Sequence, residues 1–288
     1  MTTAYLNGTF LPIEAAGISP LDRGFLFGDG IYEVIPVYNG KIFCLPEHLD
    51  RLNEGLKNIR IPTPLYTHSQ WETILYRLVQ ENSAADQWIY LQVTRGTDTI
   101  RDHQFPKEGT PTVFAISHPK PRLSKSEQAK GLKTIAITDT RWKYCHIKTI
   151  ARIAYVLMYQ EAKDGGFDEG IIINNGYVLE GTTSNIFMVR HGVIITPPKS
   201  QQILSGITRQ KILQLAEKHK IPYQEAKIAE HELLKADEIW ITSSTRGVHP
   251  VIEYNGNIVG NGQAGVLWER MWDLYAEEIY HFSVPVPN

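Results

Sequence analysis

The sequence predicts a mixed α and β protein, with an α+β lobe followed by a second lobe of alternating helices and strands. Near the beginning of the chain, short alternating runs are joined by Asn-Gly turns, which favour antiparallel hairpins. Later, the periodicity changes repeatedly between that of a strand and that of a helix. The 288 residues, of which 42% are hydrophobic and 21% charged, are sufficient for two such lobes.

The N-terminal lobe is predicted to contain short strands and two helices. Leucines at helical spacing and a proline in the first turn predict a helix over 46–59, and a second apolar face predicts one over 68–82. Alternating residues predict the strands, which cover 4–7, 9–12, 30–38, 41–44, 88–94 and 112–116.

The stretch from Pro119 to Ser124 interrupts both periodicities and is the predicted linker. We therefore divide the chain into lobes at 1–120 and 121–288. Further helices are predicted over 149–163, 207–219, 231–235 and 264–281. Further strands are predicted over 132–137, 170–173, 186–189, 223–226 and 238–242.

Composition and charge exclude several classes of function. A net charge of -2 gives no reason to expect a nucleic-acid or membrane partner. No apolar run approaches the roughly 20 residues that span a bilayer, and the N-terminus does not resemble a signal peptide. Cys44 and Cys145 match no zinc or redox spacing, so no metal is predicted. We expect a cytoplasmic protein.

Glu180 is the first candidate for a functional residue. It stands between two apolar runs that read as buried strands, where a carboxylate is costly unless a positive or hydrogen-bonding group meets it. A glutamate that caps a tight turn is the alternative interpretation.

Three turns rich in hydroxyl groups or glycine follow strands or open helices in the second lobe. They are 180–185, 205–208 and 242–245. The turn at Ser205 to Thr208 opens a predicted helix, whose free N–H groups suit a phosphate, and the hydroxyls of Ser244 and Thr245 would add donors. Ordinary N-capping is the alternative. Arg51, on the first helix, would bind a phosphate or pair with neighbouring acids in solvent.

Lys148 lies among isoleucines at the mouth of the predicted helix over 149–163. An apolar setting lowers the pKa of a lysine and suits it to nucleophilic attack on a carbonyl group and to proton transfer, although an ordinary lysine also reaches solvent from such a position.

Arg101 and His103 are two residues apart, so in extended backbone they share a face and would hold one carboxylate. A solvated loop is the alternative there.

Together these segments resemble the fold-type IV pyridoxal phosphate enzymes, which include D-amino acid transaminases, branched-chain L-amino acid transaminases and aminodeoxychorismate lyases. The resemblance extends from about Tyr5 to the last helix, and Arg101-Asp102-His103-Gln104-Phe105-Pro106 is most similar to the D-amino acid transaminases. The segments that carry it are Phe27-Gly28-Asp29-Gly30-Ile31-Tyr32-Glu33-Val34, Glu47-His48-Leu49-Asp50-Arg51-Leu52, Ile147-Lys148, Glu180-Gly181-Thr182-Thr183-Ser184-Asn185 and Gly206-Ile207-Thr208-Arg209.

The resemblance implies a cofactor, pyridoxal 5'-phosphate, between the two lobes and a role for each candidate. Lys148 would bind the cofactor covalently and carry a proton, and Glu180 would face the pyridine nitrogen. The remaining implied cofactor ligands are Arg51, the amides of Ile207 and Thr208, and Ser244 and Thr245 at the phosphate, with Leu204 against the ring and Thr183 near its edge. The implied ligands of the substrate carboxylate are Tyr32, Arg101 and His103.

The implied reaction is a ping-pong transfer of the amino group of a D-amino acid, such as D-alanine, to a 2-oxo acid such as 2-oxoglutarate. In D-specific members the arginine and histidine come from the neighbouring subunit, so a homodimer with a shared active site is implied. Arg246 departs from the D-transaminase pattern and would favour a lyase if it bound a second carboxylate. The sequence assigns no definite function to His249. A branched-chain transaminase of the same fold and a non-catalytic binding protein are also compatible with parts of the pattern.

Overall fold

The computed structural model describes residues 2–283, which divide into two compact units. The first contains the described residues up to Arg122, the segment Ile147–Arg152 and residues 282–283; the second contains Leu123–His146 and Ile153–His281. The predicted lobes, 1–120 and 121–288, remain predictions, and they differ from these units chiefly at Ile147–Arg152 and at residues 282–283. Ile147–Arg152 belongs to the first unit because its backbone pairs there with the strand around Ile31.

The first unit is built on an antiparallel six-stranded sheet. Its strands are β1 (Thr3–Leu6), β2 (Thr9–Pro12), β3 (Gly30–Tyr38), β4 (Lys41–Ile42), β5 (Gln87–Thr94) and β6 (Thr112–Pro119). They lie in the order β2-β1-β6-β5-β3-β4. Both predicted Asn-Gly hairpins are present, and both residues of each turn have a positive φ, as a tight hairpin requires.

The helices of the first unit are α1 (Arg23–Phe27), α2 (Leu45–Asn58) and α3 (His68–Glu81). Helix α2 buries Leu49, Leu52 and Leu56 in the same core as Ile31 and Ile35 of β3. This packing fixes the faces of α2 and β3 that carry the polar residues of the candidate site. The predicted helices over 46–59 and 68–82 are confirmed to within one residue at each end.

The second unit is built on a mixed sheet. Its strands are β7 (Leu132–Thr138), β8 (Glu169–Asn174), β9 (Tyr177–Gly181), β10 (Asn185–Arg190), β11 (Val193–Thr196), β12 (Tyr223–Glu225), β13 (Ile228–Ala229), β14 (Glu238–Ser243), β15 (Gly247–Tyr254) and β16 (Asn257–Ile258). They lie in the order β12-β11-β10-β14-β15-β7-β8-β9-β13, and β16 pairs with β15. Strand β7 is parallel to both of its neighbours.

The helices of the second unit are α4 (Lys125–Gln128), α5 (Ile153–Asp164), α6 (Ile207–Lys218), α7 (Glu230–Leu233) and α8 (Val266–Ser283). The helix predicted over 149–163 begins only at Ile153, because the preceding residues form an extended segment beside β3. Glu180 lies within strand β9, whereas the sequence predicts it between two strands. The predicted mixed α and β fold class is confirmed.

Candidate active site

Lys148 lies in an extended segment of the first unit, beside β3. Its carbonyl accepts a hydrogen bond from the Tyr32 amide (3.0 Å), and the Ile150 amide donates to the Gly30 carbonyl (3.0 Å). Its Nζ atom lies 4.4 Å from the centroid of the Tyr32 ring. The prediction that Lys148 stands at the mouth of a helix is therefore wrong, since pairing with β3 fixes its backbone.

The surroundings of Lys148 lower the pKa of its ammonium group. Burial is the main cause, and the charges of Arg51 and Arg152 add to it, whereas Tyr32 and Glu33 oppose it. Burial raises the pKa of the Tyr32 phenol, but the charges of Lys148 and Arg152 outweigh it, so that this pKa is also lowered. A lysine whose amine is easily deprotonated can attack a carbonyl group and can afterwards carry a proton.

Glu33, on β3, is a fully buried carboxylate whose partners come from α2. Arg51 donates from Nε to Oε1 (2.7 Å) and from Nη2 to Oε2 (2.6 Å), and His48 Nδ1 lies 2.7 Å from Oε2. Burial raises the pKa of Glu33, but the charge and hydrogen bonds of Arg51 outweigh it and lower the pKa to about 2. Burial lowers the pKa of His48, which favours its neutral form. Glu33 thus fixes the predicted phosphate ligand Arg51 by a bidentate contact.

Arg101 and His103 lie together on an exposed loop of the first unit. The guanidinium carbon of Arg101 is 4.7 Å from the centroid of the Phe27 ring, and the His103 ring is 5.1 Å from it. The buried Arg23 donates to three carbonyls of the same loop, which fixes the path of the loop. The structure therefore brings Arg101 and His103 together on one ring. Within residues 2–283, no hydrogen bond or ion pair connects either side chain to Tyr32.

Glu180, in the second unit, is buried on β9 and hydrogen-bonded at both oxygens. Its Oε1 accepts from Arg141 Nη1, and its Oε2 accepts from the Leu204 amide (2.9 Å) and from Asn185 Nδ2 (3.3 Å). Asn185 also donates to the Leu204 carbonyl (2.8 Å). The backbone of Leu204 therefore orients Glu180. The packing of the Leu204 side chain against the cofactor ring remains a prediction.

The counter-charge of Glu180 is Arg141, which the sequence does not identify. The side chain of Arg141 is fully buried, and it also pairs with Asp139 through Nε (2.8 Å) and Nη2 (3.2 Å). Burial opposes the charge of Arg141, but Asp139 and Glu180 outweigh it and raise its pKa. One guanidinium thus serves two carboxylates, so Arg141, Asp139 and Glu180 together carry one net negative charge, which favours a cation nearby. The only indication in the sequence is that Asp139 and Arg141 follow shortly after the strand predicted over 132–137.

Helix α6 begins at Ile207 as predicted, after the N-cap residue Gly206. No side chain caps this end of the helix. The amides of Ile207 and Thr208 are therefore available to an anion at the helix N-terminus. Gly206 is required by space, because a Cβ there would lie 2.0 Å from Asn185 Oδ1. The helix N-terminus is thus fixed against the residue that also holds Glu180.

Ser244 and Thr245 occupy the turn between β14 and β15, where Thr245 Oγ1 lies 3.3 Å from Ser243 Oγ. Arg246, which ends this turn, donates to Glu169, and Glu169 also accepts from the amide (2.6 Å) and hydroxyl (2.9 Å) of Thr183. Thr183 and Arg246 therefore share one buried carboxylate, a partner that the sequence did not reveal.

His249 is buried on β15, and its Nδ1 has no hydrogen-bond partner within the described residues. Burial and the charge of Arg246 lower its pKa to about 4. The imidazole is therefore neutral at pH 7, so His249 offers no positive charge to a substrate carboxylate.

These donor sets fit pyridoxal phosphate, the cofactor that the sequence resemblance implies. In the first unit, Lys148 supplies an amine of lowered pKa. In the second unit, the uncapped N-terminus of α6 suits a phosphate, and the excess negative charge beside Glu180 suits a protonated ring nitrogen.

Comparison with known proteins identifies the family. Residues 30–254 match the family model described as Amino-transferase class IV. The chain belongs to this family. The family and the enzyme class predicted from the sequence are thereby confirmed.

The similarity to individual class IV aminotransferases extends over nearly the whole chain. A D-alanine aminotransferase of Bacillus licheniformis is 40% identical over 265 residues, which are 92% of this chain and 93% of that protein. One from Staphylococcus epidermidis is 34% identical over 99% of this chain and 100% of that protein. The crystal structure of a T.th. branched-chain amino acid aminotransferase with pyridoxamine 5'-phosphate is 26% identical, with a TM-score of 0.90 over 99% of this chain and 95% of that one.

Two further properties concern the described part of the chain. No helix within residues 2–283 is long and apolar enough to cross a membrane. No group of three or more His, Cys, Asp and Glu side chains in that range could hold a metal ion.

Proposed function

We propose that this class IV aminotransferase uses pyridoxal phosphate to move the amino group of a D-amino acid, of the D-alanine class, to a 2-oxo acid such as 2-oxoglutarate. The observation that carries the reaction type is the Lys148 amine, whose pKa is lowered beside Tyr32. The preference for D-amino acids is supported by the 40% identity to a D-alanine aminotransferase and by the packing of Arg101 and His103 against the same Phe27 ring.

Bound pyridoxal phosphate supplies an electron sink for the negative charge that develops at the substrate α-carbon. In our proposal Lys148 holds the cofactor covalently, Glu180 keeps the ring nitrogen protonated, and Leu204 and Thr183 flank the ring. The proposed phosphate ligands are Arg51, the amides of Ile207 and Thr208, Ser244 and Thr245. The bidentate contact between Arg51 and Glu33 supports this, since it fixes the direction of the guanidinium.

The proposed proton carrier is Lys148 Nζ, which accepts the α-proton of the substrate once the amine is released. The lowered pKa supports this step, because an amine that is easily deprotonated at neutral pH can accept a proton. Tyr32, Arg101 and His103 would bind the substrate carboxylate. The lysine reaches only a hydrogen on its own side, so the position of that carboxylate selects the enantiomer. Hydrolysis releases the donor as a 2-oxo acid, and the amino group that it leaves behind is then passed to a second 2-oxo acid.

A homodimer with a shared active site is part of the proposal. Helix α5 exposes Ile153 (71%), Val156 (56%) and Leu157 (62%), which are spaced so that they lie on one face. A contiguous apolar face of this kind suits a second copy of the chain. Light scattering of the purified protein measures the mass of the assembly directly. The cytoplasmic location remains a prediction.

The alternative is a branched-chain L-amino acid aminotransferase, which the solved structure at 26% identity favours. The lyase alternative depended on a substrate contact by Arg246, and the pairing of that arginine with Glu169 removes this support.

The proposal is tested by titrating the purified protein with pyridoxal phosphate and then adding amino acids while the visible absorbance of the cofactor is followed. We expect binding with a shift in absorbance, loss of that absorbance with D-alanine, and no loss with L-leucine. A response to L-leucine alone would favour the branched-chain alternative, and no binding of pyridoxal phosphate would refute both.

The role of Lys148 is tested in the same titration with Lys148→Ala. This variant should lose the shifted absorbance and all transfer, because no other amine in the proposal can replace Nζ. Lys218→Ala is the matched control, since Lys218 forms only an exposed ion pair with Glu278 and should respond like the wild type.

A further inference from the structure

Arg246 and Glu169 form an ion pair in the second unit that the proposed reaction does not use. Glu169 begins β8 and is fully buried, and its Oε2 accepts a hydrogen bond from Arg246 Nη1. Arg246 ends the turn between β14 and β15, and its side chain is 27% exposed. The guanidinium is therefore directed into the protein, onto a carboxylate of its own unit.

The same carboxylate holds the turn at the end of β9. Its Oε1 accepts from the Thr183 amide (2.6 Å) and from the hydroxyls of Thr182 (3.1 Å) and Ser184 (3.3 Å). The Thr183 hydroxyl lies 2.9 Å from both oxygens. A Cβ on Gly181 would lie 3.1 Å from Glu169 Oε1 and 2.1 Å from Ser184 Oγ, so the turn is closely packed over the carboxylate.

We infer that Arg246 is a positioning residue that couples the turn over 181–184 to the turn over 243–246 through Glu169. The inference rests on the proposed function, which assigns the first turn to the edge of the cofactor ring and the second to its phosphate. One carboxylate bonded to both turns fixes their separation. Removing Arg246 leaves the buried charge of Glu169 without its counter-charge, and removing Glu169 takes away the carboxylate that holds Arg246, so both turns should shift.

The ion pair with Glu169 also argues against a substrate-binding function of Arg246. An unpaired arginine beside the phosphate turn would attract a second carboxylate on the substrate. Arg246 could do so only by leaving Glu169 buried without a counter-charge, which is costly. We therefore expect Arg246 to control cofactor affinity and not the choice between monocarboxylic and dicarboxylic oxo acids.

The test is a double-mutant cycle on cofactor affinity with Arg246→Gln, Glu169→Gln and the double variant. Pyridoxal phosphate is titrated into each cofactor-free protein. We expect each single variant to raise the Kd about tenfold, and the double variant to raise it by no more than about tenfold, because all three remove the same link. Arg246→Lys keeps the charge and should stay within about threefold of the wild type. The ratio of KM for 2-oxoglutarate to KM for pyruvate should stay constant.

Arg190→Gln is the matched control, because Arg190 forms a half-exposed pair with Glu232 (3.6 Å) in the same unit and should leave the Kd unchanged. Multiplicative losses in the cycle, a normal Kd for Arg246→Gln, or a selective rise in KM for 2-oxoglutarate would each overturn the inference. If the wild type itself binds no pyridoxal phosphate, the proposed function fails and this inference fails with it. Binding by the wild type together with a normal Kd for Arg246→Gln refutes the inference alone.

Discussion

Glu33 and Glu180 are both buried carboxylates on strands, and each meets an arginine, but the charge around them is opposite. Glu33 takes two hydrogen bonds from Arg51, and Arg152 is a further cation near Lys148, so Glu33, Arg51 and Arg152 together carry one net positive charge. Glu180 shares Arg141 with Asp139, and these three side chains together carry one net negative charge. The contrast shows that a buried ion pair alone does not identify a ligand.

The charge that remains after pairing is more informative. An excess of positive charge in a partly buried cluster favours an anion, such as a phosphate or a carboxylate, and an excess of negative charge favours a cation. This agrees with the proposed functions of Arg51 at a phosphate and of Glu180 at a protonated ring nitrogen. Substitutions at Glu180, Glu33 and Asp139 test the contrast.

The largest effect is expected for Glu180→Gln. The amide keeps the shape of the side chain but removes the charge that would stabilise the ring nitrogen, so kcat/KM should fall by about 10²–10³-fold. The measurement is steady-state transfer between D-alanine and 2-oxoglutarate at saturating pyridoxal phosphate. Glu180→Asp keeps the charge and should retain more activity. Equal activity of the Gln variant and the wild type would refute the assigned function of Glu180.

For Glu33 the expected effect is on stability and its dependence on pH. Glu33→Gln removes the carboxylate that binds Arg51 through two hydrogen bonds and should destabilise the protein by about 3 kcal/mol. The pKa of Glu33 is lowered from 4.5 to about 2 in the folded protein. Its contribution is therefore complete above pH 4.5 and is lost as the pH falls toward 2.

Urea unfolding of the cofactor-free wild type and Glu33→Gln between these pH values measures this contribution. The difference in unfolding free energy should shrink as the pH falls, and a constant difference would show that the charge of Glu33 is not its cause. Glu81→Gln is the control, since its pair with Arg77 on α3 is exposed and should change stability by less than about 1 kcal/mol at any pH.

The smallest effect is expected for Asp139→Asn. This variant keeps the contact between Arg141 and Glu180 but removes the excess negative charge. A charge separated from the ring by one arginine should change kcat/KM by about tenfold or less. A loss as large as that of Glu180→Gln would show that Asp139 acts by holding Arg141 in place, and excess charge would then not explain the cation preference of this unit.

Local signals in the sequence predicted most of the fold. Strand β3 and helices α2 and α3 were predicted nearly to the residue, because alternation and helical spacing are properties of the segment itself. The segment before α5 was wrongly predicted as helix. Its extended conformation depends on pairing with Gly30 and Tyr32, which are distant in sequence.

In the candidate site, too, local features could be predicted from the sequence and contacts between distant residues could not. The hydroxyl turns and the start of α6 are local, and the structure contains them. The partners of buried charges are not local, so the sequence could not show that Glu180 meets Arg141, that Glu33 meets Arg51, or that Arg246 meets Glu169. A buried charge implies a partner, but periodicity does not identify it.

The path of the chain around Lys148 has a consequence for modularity. The chain leaves the second unit after His146, contributes Ile147–Arg152 to the first, and returns at Ile153. A fragment that ends at Arg122 therefore lacks the lysine, and a fragment that begins at Leu123 carries it without Tyr32 and Glu33. Neither half can be exchanged with another protein, or produced alone, with the lysine in its native surroundings.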